Sequence, residues 1–130
     1  MSTFKSFEEI NAWQGARDLT SRVYQVSSEG EFARDFGLRD QMRRVCISIM
    51  SNIAEGYERG GTKEFVQFLS VAKGSVGEVR SQLYVAFDQR YISEATFGQL
   101  SGEATEISRM LSGLMTYLRK AGLKGSKYKS

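Results

Sequence analysis

Proline is missing from all 130 residues. Nothing in the chain therefore locks φ, removes a backbone donor or forces a helix to stop by ring clash. Against that background, four segments place apolar residues at steps of three and four, which predicts an all-helical domain. The length suits one domain with a core large enough to need neither disulfides nor metals.

The first helix is expected to open on Ser6 and Glu9 as a capping box. Ile10, Trp13, Ala16, Thr20, Val23 and Tyr24 form its inner stripe, and it should end near residues 27–30. A glycine-containing loop leads to a second helix at about Leu38, with Met42, Val45, Ile49 and Ile53 inward and Gly56 closing the same line. Ile47, Met50 and Ala54 make the far side apolar as well, and a helix apolar on two sides needs two partners, the second most naturally another subunit. Gly60 and Gly61 interrupt the chain, and Thr62 is placed to cap a third helix. Its core stripe is Phe65, Phe68, Leu69, Ala72, Val76, Val79, Leu83, Ala86 and Phe87. Ser70, Gly74, Gly77 and Ser81 line its other side, where each glycine costs roughly 1 kcal/mol against alanine; either something approaches the backbone closely or the face is simply open. Ser93 caps the fourth helix, whose inner face is Phe97, Leu100, Ala104, Ile107, Leu111, Leu114, Met115 and Leu118. Four helices of about 20 to 28 residues specify an antiparallel up-and-down four-helix bundle over residues 1–122, with a short basic flexible tail at 123–130.

Along the second helix, Gln41, Arg44, Ser48, Asn52, Glu55 and Arg59 recur on one side, beside the apolar line. Such a row is either a polar seam in an assembly or a binding surface. Glu55 and Glu78 of the third helix are positioned to face one another, either as an acid–base pair or, the favoured reading, each neutralised by an arginine, with Arg44 and Arg59 at hand. Asn52, close to the centre of the apolar line, reads as a device that sets packing register. Its alternative is a contact to a ligand or nucleic acid.

Histidine is absent, which removes the commonest general base and transition-metal ligand and rules out the Glu-x-x-His pairs of a di-iron bundle. The glycines before Thr62 and Lys63 do not match the spacing of a phosphate loop, and no strand precedes them. Neither metal nor cofactor is expected. Cys46, the lone cysteine, sits among apolar neighbours and reads as a buried, inert thiol. No apolar run reaches membrane-spanning length and residues 1–13 lack the halves of a signal peptide, so the expectation is a cytoplasmic protein without membrane contact. The net charge of +3 is uneven: Arg119, Lys120, Lys124, Lys127 and Lys129 fall in an acid-free end, leaving thirteen basic against fifteen acidic residues elsewhere. That end is either a solubilising terminus or a contact to phosphate backbones.

The run Leu38, Gln41, Arg43, Arg44, Ser48, Ile49, then Asn52 through Gly56, followed by Glu64, Phe65, Phe68, Leu69, Ala72, Gly74, Ser75, Glu78 and Leu83, resembles a bacterial four-helix-bundle family. That family is named for reading frames inside intervening sequences of 23S ribosomal RNA genes and is also labelled S23 ribosomal protein. Trp13 and the stretch from Ile107 to Leu118 fit the same pattern. One departure falls in the first long loop, where the family has a Phe-Pro pair and this chain has Glu31, Phe32 and Ala33. The resemblance implies an up-and-down bundle assembling as a homopentamer, of unknown biochemical activity in most members. A distant relative, the accessory protein of diversity-generating retroelements, works with a reverse transcriptase and binds nucleic acid. The reading is a non-enzymatic bacterial homo-oligomer associating with RNA or a nucleic-acid enzyme, with Ser75 and Glu78 completing the polar seam. The competing reading is a small-molecule or enzymatic site built from Arg44, Asn52, Glu55, Arg59 and Glu78.

Overall fold

The computed structural model describes residues 4–129, with side chains as far as Gly122. Helices α1 (Asn11–Val26), α2 (Phe36–Glu58), α3 (Thr62–Asp88) and α4 (Glu94–Lys129) follow one another, with short 3₁₀ turns at Phe7–Glu9 and Phe32–Arg34 and no strand among the described residues. Each helix packs on its neighbours in sequence, and α4 returns to α1. Residue pairings fix the directions. Gly56 meets Phe68 where Ser48 meets Ser75, and Tyr84 packs on Phe97 where Thr62 meets Gly122. Successive helices are therefore antiparallel, and the domain is an up-and-down bundle.

The core combines most of the expected inner faces of α2, α3 and α4 with Cys46, while Leu38, Val45, Phe68, Phe87, Phe97 and Leu114 are only half-buried at its margin. On α1 the buried line is rotated from the expectation: Ala12, Ala16, Leu19 and Val23 are buried, while Tyr24 is 40% exposed. The small alanines let α1 lie close to its neighbours. Met50 also goes to α1, where it accepts the Thr20 hydroxyl at 3.6 Å. The two-sided apolarity of α2 thus has an internal cause, because α2 lies between α1 and α3. Only Ile47 of that far side is largely exposed.

Helix ends differ from expectation in instructive ways. Ser6 makes no side-chain cap; Glu9 instead accepts the Lys5 N–H at 3.0 Å, one residue earlier than a capping box requires. Helix α2 begins at Phe36, slightly before the expected Leu38, and Asp35 caps it by accepting the Leu38 N–H at 3.2 Å. Thr62 is already helical and Gly61 precedes it, again without a side-chain cap. Ser93 caps α4 as expected, accepting the Thr96 N–H at 3.1 Å. Helix α4 continues to Lys129 instead of closing near Gly122.

The departure at residues 31–33 has a clear packing role. Phe32 is fully buried and stacks on Tyr91, with ring centroids 5.2 Å apart. Tyr91 in turn donates its hydroxyl to Asp35 at 2.9 Å, and the neighbouring carboxylate raises the Tyr91 pKa. An aromatic plug thus closes one end of the bundle. At the other end, Tyr57 donates to the Phe4 carbonyl at 2.7 Å and fastens the N-terminal segment. No helix among the described residues is long and apolar enough to cross a membrane.

Candidate functional site

The polar row on α2 is built around one tight contact. A Cβ at Gly56 would lie 2.6 Å from Phe68 Cβ and 3.1 Å from Phe65 Cδ1, so α2 and α3 meet there at a distance only glycine allows. Further along the same seam, small hydroxyls replace bulk. Asn52 donates to the Ser48 carbonyl at 2.8 Å and to Ser48 Oγ at 3.1 Å, and Ser48 Oγ lies 3.2 Å from Ser75 Oγ. With its oxygen accepting from Asn52, the Ser48 hydroxyl is free to donate to Ser75. Asn52 therefore bonds within its own helix, and the link to α3 passes through the two serines. Ser75 is buried, whereas Ser48 and Asn52 are half-buried.

The ends of the row behave differently. Gln41, Arg44, Glu55 and Arg59 are exposed, as is Glu78. Glu55 and Arg59 form an exposed pair at 3.7 Å, and Arg59 also lies over the Phe68 ring at 5.3 Å. Arg44 and Glu78 form no ion pair among the described residues. The expected Glu55–Glu78 pairing is not assembled. Because Ser48 sits opposite Ser75 on an antiparallel neighbour, the two acids stand about 15 Å apart along the axis at ~1.5 Å per residue. Arg44, Asn52, Glu55 and Arg59 follow one edge of α2, Glu78 stands on α3, and the five do not converge on a point. Near the start of α2, the Arg39 guanidinium 2.8 Å from Asp40 holds that carboxyl below its usual range.

Cys46 is fully buried, and burial pushes its thiol up to about 12, so it is neutral and unreactive in the folded chain. No group of three histidine, cysteine or acidic side chains among the described residues is arranged to hold a metal. A concavity of about 270 Å³ between α1 and α4 is lined by Gly15, Asp18, Arg22, Glu103, Glu106, Ile107 and Met110. The Arg22–Glu103 ion pair at 3.0 Å already partners two of its charges. In the C-terminal segment, Arg119 and Lys120 are exposed, while Lys124, Lys127 and Lys129 lie outside the described side chains.

The sequence reading missed a feature of the outer face of α3. Val71 and Val85 are 56% and 45% exposed, and with Glu78 they recur every seven residues. Between them stand Gly74 and Ser81, and a Cβ at Gly74 or Gly77 would meet nothing within 4 Å. The small-residue row is thus open within one chain. Its signal was present in the spacing of seven, which the stronger core stripe of the same helix obscured.

The model of the 23S rRNA-intervening sequence protein family matches residues 8–113. No curated protein matches the chain by sequence. Among solved structures, the fold is similar to a crystal structure from Bacteroides thetaiotaomicron, described as a protein of unknown function from the S23 ribosomal protein family. The two share 20% identity, with a TM-score of 0.73, over 80% of this chain and 97% of that one.

Proposed function

The chain belongs to the 23S rRNA-intervening sequence protein family, and from that premise we propose that it works by binding, not catalysis, as a self-associating bundle in the bacterial cytoplasm. The observation that carries this reading is the outer row of α3. Valines at 71 and 85 flank Glu78 at heptad spacing, with Gly74 and Ser81 between them. Apolar residues recurring on one helix edge form the seam of packed helices, here as two valines two heptads apart, and the small residues permit close approach of a second backbone. Arg44 and Glu78, lacking ion pairs among the described residues, supply complementary charges to orient such a contact. A pentamer, the assembly implied by the resemblance, is the expected stoichiometry.

Native mass spectrometry and light scattering test this. The expected result is an oligomer at micromolar concentration that dissociates in the Val71→Arg, Val85→Arg double variant while helicity is kept. A clean wild-type monomer under those conditions refutes the reading. Nucleic-acid association is its second part, favoured by the acid-free segment 119–130 with five basic residues.

A further inference from the structure

We infer that the outer groove between α3 and α4 binds the phosphate backbone of a single-stranded nucleic acid. This rests on the nucleic-acid reading above and places the contact on the bundle as far as Arg119, not on Lys124, Lys127 and Lys129. Tyr84 and Phe87 both pack on Phe97 at 4.9 Å, which identifies the side of α3 that faces α4. Steps of three and four back from Tyr84 bring Arg80, Gly77, Lys73 and Ser70 onto that side. On α4 the matching line runs from Phe97 through Ser101, Thr105, Ser108 and Ser112 to Arg119. Its four hydroxyl residues are half-buried, while Lys73, Arg80 and Arg119 are exposed and form no ion pair among the described residues.

Asp88, four residues beyond Tyr84, and Glu94, three before Phe97, border the Tyr84 end of the groove; the other acids of these helices lie elsewhere. Glu78 stands in the outer row of α3 between Val71 and Val85, turned from the α4 side toward that of Ser75; Glu103 is held by Arg22 of α1, and Glu106 by Arg109. A body with more acids than bases before residue 119 therefore carries one groove with no acid between Tyr84 and the level of Arg119, sorted by face and invisible in the total charge. From Tyr84 to the level of Arg119 it extends about 30 Å at ~1.5 Å per residue, room for a strand of several nucleotides. Between Lys73 and Arg80 and along α4 the lining is hydroxyls and an open glycine, with the half-buried Val66 the aliphatic residue on this line of α3. Hydroxyls and cations are the donors that phosphate oxygens accept, whereas a protein partner calls for an apolar centre. Tyr84, 59% exposed at one end, offers a platform for an unpaired base, which a closed duplex does not present.

Fluorescence anisotropy with a labelled mixed-sequence RNA of about twelve nucleotides, at about 50 mM salt, tests the assignment on the full chain. Lys73→Gln with Arg80→Gln should weaken binding at least ~10-fold and reduce the slope of log affinity against log salt by about 1.4, ~0.7 for each lost phosphate contact. Tyr84→Ala should cost ~5- to 100-fold, while Arg109→Gln, outside the groove, should stay within about twofold. Circular dichroism confirms that these surface variants remain folded. If the Lys73/Arg80 pair binds like wild type while Lys124→Gln, Lys127→Gln and Lys129→Gln together abolish binding, the groove assignment falls and the nucleic-acid reading survives. Absence of wild-type binding removes both. Equal affinity for a duplex, with Tyr84→Ala neutral, overturns the single-strand assignment.

Discussion

Two kinds of glycine that look alike in the sequence have opposite surroundings. At Gly56 an added methyl group collides with Phe68 Cβ, which is bonded directly to the backbone and cannot swing away, and with Phe65. Gly56→Ala is therefore expected to lower stability by about 1–3 kcal/mol through overpacking. At Gly74 the same change meets open space, and improved helix propensity should raise the stability of the monomer by up to about 1 kcal/mol. Urea unfolding of both variants, under conditions that keep the chain monomeric, measures the contrast, and equal midpoints would contradict it. The sequence showed both residues as helical glycines. What separates them is the distance to a helix whose register only the assembled fold defines.

At the scale of the element, helix existence and type were legible, but several ends were not. Periodicity reports the interior of a helix, whereas a cap depends on where one side-chain oxygen falls relative to one N–H. Asp35 and Ser93 win that competition; Ser6 and Thr62, of equally suitable type, do not. The C-terminus of α3 shows the same limit. Arg90 adopts φ of 62°, and the Tyr91 N–H reaches back to the Ala86 carbonyl at 2.9 Å, closing a Schellman turn with a residue that disfavours the left-handed region. Arg90→Gly should relieve that strain and raise the melting temperature, by about 1 kcal/mol in stability. A calorimetric scan showing a lower melting temperature would mean that the arginine side chain contributes more than the turn costs.

For the whole molecule, the bundle was readable from four apolar stripes, yet the partner of the second face of α2 was not. Met50 packs inward on α1, so a pattern that suggested another subunit is first satisfied within the chain. The candidate site was legible as a row, but its division into a packed middle of Ser48, Asn52 and Ser75 and exposed ends depends on the angle at which α2 and α3 meet. Cys46 makes the integrity of the core measurable. Its pKa is raised in the fold to about 12, so the unfolded chain loses the thiol proton first. The contribution is intact below the unfolded pKa of about 8.5 and declines as pH rises from there towards 12, by ~1.4 kcal/mol per pH unit. Comparing urea midpoints of wild type and Cys46→Ala between about pH 8 and pH 10 should show the extra decline only in wild type; parallel curves would contradict it.

An even number of antiparallel helices also gives the bundle two unlike poles. Phe4 is tied to Tyr57 near the end of α2, and Gly122 lies against Thr62 at the start of α3. Both ends of the described chain and the Gly60–Gly61 turn share one pole, while the Phe32 plug and the turn after α3 occupy the other. A tag, a fused domain or any flanking segment would leave from the first pole, so the plugged pole is the face to present when the protein is anchored to a surface or held in a crystal by a fusion partner.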